Sequence, residues 1–425
     1  MKVCVIGAGA AGLMCAITAA REGADVFILE KNEKIGKKIY ITGKGRCNVT
    51  NCTDFDGYQS NIISGGKFLY SALKGFDSNQ CMAFFEEIGL PLKVERGERV
   101  FPQSDKSSDV IKVLKKELER LNVPVYLQEN VKDLIISNGI ITHVVTDKKT
   151  YEADAFVVCT GGISYPATGS TGDGYIWAKK AGHTIIQPVP ALCGIVLSGA
   201  LDIFNNEIPL PSLPKIRGIS LKNVNATVLD RRSGKKLYDE FGEMLFTERG
   251  ISGPIVLTLS SKINRLTPDQ ILISLDLKPA LTEKQLDERI LRDFSTQQNK
   301  IFKNSLNALL PSGLIPLVVA LSRINETKPV HSITKEERKK LVDVLKNMRF
   351  CVKGLEDIST AVVTSGGVAV SEINPKTMES KRITNLYFAG EVLDIDALTG
   401  GFNLQLAFAT GYAAGKNLMK KGEKS

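Results

Sequence analysis

Val3-Cys4-Val5-Ile6-Gly7-Ala8-Gly9-Ala10-Ala11-Gly12 is the stretch whose reading decides the fold. The first four residues are an apolar run of strand type, and the glycine turn leads into an Ala-rich helical stretch to about Arg21. A second apolar run, Val26-Phe27-Ile28-Leu29, ends on Glu30, eighteen residues after Gly12. In this order Gly7 permits the tight turn, Gly9 lets backbone approach a pyrophosphate, and Gly12 lets helix pack on sheet. The free N–H groups of Gly9, Ala10, Ala11 and Gly12 and the positive helix end then receive phosphate. Glu30 accepts a ribose 2′-OH and repels a 2′-phosphate. A bare glycine pattern fits any βαβ turn; strand, turn, helix, strand and acid in sequence predict dinucleotide binding.

At 425 residues the chain is long enough for two or three domains. With 43% hydrophobic and 24% charged residues it groups with ordinary globular proteins rather than disordered ones. No apolar run approaches the ~20 residues that span a bilayer, so no membrane partner is expected. A strand starting at Lys2 predicts no signal peptide. Of eight cysteines, Cys4, Cys15 and Cys159 lie in apolar runs, as buried free thiols do, which predicts a reducing cytoplasm. Three histidines without paired Cys/His spacing predict no metal site. The net charge of +9 gathers in Lys31, Lys34, Lys37, Lys38, Lys44 and Arg46, in Arg231 to Lys236, and in Arg338-Lys339-Lys340. It suits an anionic cofactor or a polyanionic partner, and charge alone does not choose.

The connection over 31–66 is too long for a simple loop. Helical periodicity runs over 78–88 and 106–121, the latter with an N-cap region in Ser104 to Asp109. Strands are expected at 123–127, 131–137, 140–146 and 153–159, the last entering Thr160-Gly161-Gly162 where open sheets place ligands. Prolines 188, 190, 209, 211 and 214 mark a boundary. Strand-like segments at 193–198, 217–229, 235–239 and 271–277 and helical ones at 282–323 and 334–347 follow. Ala361-Val362-Val363-Thr364 with Gly366-Gly367, a strand ending Ala389-Gly390-Glu391, and an Ala-rich helix from about Asn403 to Met419 resume an α/β pattern. The fold class is α/β, with a Rossmann-like domain in 1–190 and 359–425. A β-rich domain is inserted at 191–358, its helical subdomain at about 280–347.

The C-terminal segment chooses the dinucleotide. A strand ending in Gly390-Glu391 offers an acceptor to the polyol of a ribityl chain. A helix starting at Gly401-Phe402-Asn403 aims its positive end at the N1 and C2=O region of a reduced flavin. NAD has no need of this second element, so FAD is expected. No second G-x-G-x-x-G follows an apolar run, so NAD(P)H would dock only transiently as reductant. Lys31 and Val131 complete the cofactor-binding candidates.

Thr42-Gly43-Lys44-Gly45-Arg46-Cys47-Asn48-Val49-Thr50-Asn51-Cys52 admits three readings. It is a flavin-contacting loop that uses Thr42, Gly43, Gly45, Arg46, Cys47 and Asn48; a redox-active Cys47/Cys52 pair; or an inert surface loop. The redox pair also needs a histidine base near the C-terminus, and none follows His331. The first reading is favoured.

Residues 42–51 resemble the T/S-G-x-G-R-C-N-x-T-N signature of the BaiN-like flavoproteins, a family that includes aminoacetone-oxidase-like and RdsA/YhiN-type members. Arg99-Val100-Phe101-Pro102, Phe246 to Pro254, and Ala389 to Asp394 through Gly400 to Gln405 match it too, so the resemblance spans essentially the whole chain. It implies FAD in a two-part Rossmann-like domain, held by Gly7 to Gly12, Glu30, the 42–48 loop and the 401–403 turn. It also implies an inserted β-barrel-like domain with a helical subdomain. Many members have His where this chain has Glu248. Family activities include reduction of C=C bonds in steroid-like enones, oxidation of aminoacetone, and reduction of a uridine in large-subunit rRNA. The resemblance thus implies a cytoplasmic FAD-dependent oxidoreductase acting on an enone or on rRNA. Proton-donor candidates by chemistry are Tyr165, Cys47, Glu248 and Ser252. The rival readings are an amine or small-metabolite oxidase, a non-catalytic FAD-containing RNA-binding factor, and a disulfide reductase.

Overall fold

The computed structural model describes residues 1 to 419; the last six positions of the expected 359–425 segment lie outside the described residues. Two compact units divide the chain, Met1–Pro190 with Ile358–Ser425, and Ala191–Asp357. In the first, five parallel strands run in the order Leu386–Phe388, Ala155–Val158, Lys2–Ile6, Asp25–Glu30, Val125–Leu127. The inner strands are apolar on both faces, as parallel strands covered on both sides must be. A strand from near the C-terminus therefore extends the sheet begun at the N-terminus.

Helix Ala10–Arg21 packs against helix Phe402–Leu418. Gly411 and Gly415 make the contact close. A Cβ on Gly411 would stand 2.3 Å from the Ala11 carbonyl oxygen, and one on Gly415 2.5 Å from that of Cys15. The 31–66 connection is built of short pieces: helices Lys37–Ile41 and Phe55–Asn61, a 3-10 turn at Thr42–Gly45, and strands Thr50–Asn51 and Ile62–Ser64. An antiparallel sheet joins Val131–Ser137, Ile140–Thr146 and Thr150–Glu152. Asn138 and Gly139, both at positive φ, make its two-residue hairpin turn.

In the second unit the antiparallel strands Ile195–Leu201, Gly250–Ser252, Lys236–Phe246, Ser220–Asp230, Ile271–Asp276 and Met348–Leu355 pair in turn. The last returns to the first, closing a barrel. Glu207–Pro209 pairs outside it. Helices Glu283–Ser295 and Lys335–Lys346 begin with capping boxes, Thr282 with Gln285 and Thr334 with Glu337. Their apolar stripes join the core formed by the barrel residues.

Two expectations need correction. Helix Ser107–Arg120 has no side-chain cap; Lys106 occupies the cap position, and the Ser107 hydroxyl donates instead to the Tyr40 carbonyl at 2.7 Å. The expected Ala361 to Gly367 segment forms strand Val363–Val368, which runs through both glycines. Both glycines are needed there, since a Cβ would stand 2.5 Å from the Gln187 oxygen at Gly366 and 2.6 Å from the Val392 oxygen at Gly367. The strand expected at 235–239 extends to Phe246, because its outward residues Asp239, Phe241 and Glu243 are exposed and break the apolar run.

The helix–helix contact gives a stability test. Gly411→Val should cost about 1–3 kcal/mol by overpacking against backbone. Gly75→Ala, where a Cβ meets nothing within 4 Å, should cost nothing. Denaturant melts of the two variants check it.

Candidate active site

The first βα turn is set by contact. Gly7 has φ +103°, and a Cβ there would lie 2.6 Å from the Cys159 oxygen; one on Gly12 would lie 1.9 Å from the Gly7 oxygen. Over Gly9 the space is open, with nothing within 4 Å. Gly9 caps helix Ala10–Arg21 without a side-chain bond, and the first turn carries no acid. The first N–H with a helical partner is that of Leu13, so those of Ala10, Ala11 and Gly12 remain for a ligand.

At the end of the next strand the Glu30 carboxylate accepts from the Ala8 N–H at 2.8 Å, the Asn32 N–H at 2.8 Å and the Asn32 side-chain amide at 2.7 Å. It is thereby fixed at the sheet edge. A cavity of about 340 Å³ adjoins it, lined by Lys31, Asn130, Val131, Lys132, Asp173 and Trp177. Lys31 is held there by Asp173 at 2.6 Å and by Thr171.

The C-terminal half supplies the other wall. Gly390, at φ +79°, follows strand Leu386–Phe388, and a Cβ on it would press 2.7 Å from that of Ala11. Gly401, at φ +99°, caps helix Phe402–Leu418 with no side-chain bond and no acid in the first turn. Its missing Cβ would overlap the Thr50 carbonyl at 2.4 Å. Phe402 packs edge-on against Tyr58 at 5.2 Å. Asn403 does not project into the site. Its amide clamps Ala397 through both backbone groups, so its contribution is the shape of the turn.

Four segments meet beside Gly390. The Glu391 carboxylate accepts from Lys38 Nζ at 2.7 Å, the Ser164 hydroxyl at 3.2 Å and the Thr364 N–H at 2.8 Å. Thr364 Oγ1 accepts the N–H groups of Ile163 and Ser164 at 2.9 and 3.1 Å, which fixes the turn after Thr160-Gly161-Gly162. A Cβ on Gly162 would strike that hydroxyl at 2.4 Å. Thr160 Oγ1 is buried with no hydrogen-bond partner. Lys38, Ser164 and Thr364 were not singled out from the sequence. Lys38 was visible there only as one member of a basic cluster.

The 42–48 loop owes its composition to its backbone. Gly43, Lys44, Gly45 and Cys47 all have positive φ, and the Thr42 hydroxyl donates to the Ile39 carbonyl at 2.7 Å. Asn48 Oδ1 is buried without a partner, 3.0 Å from where a Gly401 Cβ would stand. Arg46 departs from expectation. Its guanidinium bonds Asp105 at 2.9 Å and Glu95 at 3.2 Å and lies over the Phe101 ring at 4.2 Å. It braces the loop rather than reaching a cofactor.

The proton-donor candidates separate clearly. Cys47 is fully buried, and burial pushes its thiol up to about 12, so it serves neither as thiolate nor as solvent-linked donor. Cys47 and Cys52 are both free thiols, the first buried and the second half-buried. Glu248 lies in the barrel unit with 73% of its side chain exposed, paired to Arg217 at 2.9 Å. Ser252 ends the short strand Gly250–Ser252 opposite Leu245 in the same unit. Tyr165 sits beside the Lys38–Ser164–Glu391 cluster, half-buried, with φ +50°. A bulky residue held in the left-handed region before a proline is strained, and such strain concentrates at functional sites.

Alkylation of the native protein tests the cysteine assignment. Cys52 is the half-buried thiol and the other seven are buried. Iodoacetamide at mildly alkaline pH should mark Cys52 and leave Cys47 unmodified, as read by peptide mass spectrometry.

The first unit thus holds uncapped helix ends at Gly9 and Gly401, a fixed Glu30 carboxylate, a cavity beside Lys31, and unpartnered Thr160 and Asn48 oxygens. They fit an extended dinucleotide with a polar ring at one end, as FAD is. Comparison with known proteins agrees. The family model described as HI0933-like protein Rossmann domain matches residues 1–417. A 3-dehydro-bile acid delta(4,6)-reductase of Clostridium scindens is 32% identical, with 98% of each chain covered. Ribosomal RNA dihydrouridine synthases of Haemophilus influenzae (98% of each chain) and Escherichia coli (98% of this chain, 97% of the relative) are 31% and 28% identical. Among solved structures, FrdA of the E. coli quinol fumarate reductase superposes with a TM-score of 0.50 at 17% identity, over 100% of this chain and 71% of that one, a likeness of fold. No described helix is long and apolar enough to cross a membrane. The chain belongs to the HI0933-like family and has its Rossmann-type, FAD-binding α/β fold.

Proposed function

We propose that this chain is an FAD-dependent oxidoreductase that saturates an activated C=C bond, its substrate a uridine of ribosomal RNA. The observation that carries the reading is the pair of uncapped helix N-termini, at Gly9 and Gly401, on two helices packed in parallel. The first suits a pyrophosphate and the second a ring that gains negative charge on reduction. FAD when bound supplies a hydride from N5. Gly7 to Gly12 and Glu30 hold its adenosine diphosphate half, with Lys31 and Val131 at the adenine cavity. Thr160 to Gly162, Glu391, Asn48 and the 401–403 turn hold the rest.

The substrate class rests on the relatives. A bile acid delta(4,6)-reductase and dihydrouridine synthases both act on carbon–carbon double bonds activated by a carbonyl. Such a bond takes a hydride at one carbon and a proton at its neighbour. Tyr165 is our choice for the proton, since it follows Ser164 of the Glu391 cluster, is half-buried and sits on a strained backbone. The net charge of +9 favours a polyanionic substrate over a steroid. The similarity to the bile acid reductase keeps a steroid-like enone as second reading. NAD(P)H docking transiently is the reductant, and eight free thiols suit the cytoplasm.

The experiment is an anaerobic reoxidation of the reduced holoprotein by rRNA lacking dihydrouridine, by a 3-oxo-4-ene steroid and, separately, by O₂. Flavin reoxidation by rRNA with dihydrouridine in the product supports the reading, and Tyr165→Phe should slow it roughly 100-fold or more. Reoxidation by the steroid alone moves the assignment to enones. Fast reoxidation by O₂ with peroxide, and none by either alkene, identifies an oxidase instead.

A further inference from the structure

Lys38 lies on the short helix Lys37–Ile41 that follows the ribose-side strand. Its ammonium reaches Glu391 at 2.7 and 3.0 Å and the Ser164 hydroxyl at 2.6 Å. Both charged side chains are largely withdrawn from water, Lys38 at 24% and Glu391 at 19% exposure, so solvent does little to screen either. The charge around them makes the pairing consequential. Glu30 meets only neutral N–H donors and keeps its charge, so an unpaired carboxylate at Glu391 would add a second one. An FAD there adds its pyrophosphate. Two electrons and one proton then convert FAD to FADH⁻, adding one more negative charge. An uncompensated carboxylate opposes binding and, more strongly, reduction.

We propose that Lys38 is a cofactor-positioning residue: by neutralising Glu391 it sets the affinity of the site for FAD and the ease with which the bound flavin is reduced. The proposal rests on the flavoprotein reading and goes beyond it by assigning a role to a residue outside the phosphate turn and the 42–48 loop. The Thr364 N–H and Ser164 hydroxyl fix the carboxylate; Lys38 fixes its charge. A merely structural ion pair would change stability and leave the potential of bound flavin alone.

The test compares wild type, Lys38→Met, Lys38→Arg, Glu391→Gln and the Lys38→Met/Glu391→Gln double variant. FAD Kd is read by fluorescence titration of apoprotein, and flavin midpoint potential by dye equilibration. Lys38→Met should raise Kd roughly tenfold or more. It should also lower the midpoint by about 30 mV for each tenfold lost in preference for reduced flavin. The double variant should recover the midpoint potential, because no carboxylate is left unpaired, and Lys38→Arg should keep both values. Glu391→Gln alone, leaving the ammonium unpaired, should raise the potential, a readout that stands even if Lys38→Met does not fold. An unchanged Kd and potential in Lys38→Met, a double variant whose potential is no closer to wild type than the single variant's, or a lowered potential in Glu391→Gln overturns the role of Lys38 alone. A wild-type chain that binds no FAD overturns the flavoprotein reading and this role with it.

Discussion

The close approach of helices Ala10–Arg21 and Phe402–Leu418 is the constraint on which the site depends. Two backbones come within contact because Gly411 and Gly415 offer no Cβ to keep them apart. The same approach limits Gly390, whose missing Cβ would press on Ala11. Gly411 lies against Ala11 and Gly415 against Cys15, so the helices run parallel and the Phe402 end projects about 12 Å beyond the Ala10 end. Strand Leu386–Phe388 completes the arrangement by pairing with Ala155–Val158, itself paired with Lys2–Ile6. Residues almost four hundred positions apart thus become walls of one site, a consequence of packing rather than of any local motif.

Helix ends of this kind attract negative charge modestly, about 0.3–1 kcal/mol each at exposed sites and more where water is thin. Their value lies in position. Neither end has a side-chain cap or a first-turn acid to satisfy it, so the N–H groups wait for a ligand. The strands bring carboxylates to the same place. Glu30 is engaged by Ala8 and Asn32, and Glu391 by Lys38, Ser164 and Thr364. An anionic cofactor meets carboxylates whose oxygens are already bonded, Glu391 with a cation against it.

Much of this was legible in the sequence. Strand, glycine turn, helix and Glu30 occur in one local run, and each glycine has a steric reason that the structure repeats at Gly7 and Gly12. The hairpin at Asn138-Gly139 and the capping boxes at Thr282 and Thr334 carry their own signals within four residues. What was not legible depends on distant partners. Gly411 and Gly415 look like ordinary interruptions of an Ala-rich helix until their neighbours are known. Lys38 reads as one basic residue among six, and its meaning comes from Glu391, 353 positions away. Arg46 misled because a conspicuous arginine in a glycine loop suggests a ligand, whereas Glu95, Asp105 and Phe101 claim it. The strand through Asp239 and Glu243 was cut short because the outer face of a barrel is polar.

The central claim is that the two ends of the chain close one site around FAD. Its most direct test is the identity and stoichiometry of the nucleotide released when the purified protein, reconstituted with an equimolar mixture of FAD, FMN and NAD and freed of excess, is denatured. The account predicts one FAD per chain and neither of the others, because only FAD offers both a pyrophosphate for Gly9 and a flavin ring for Gly401. Release of NAD, or of no flavin at all, would contradict it.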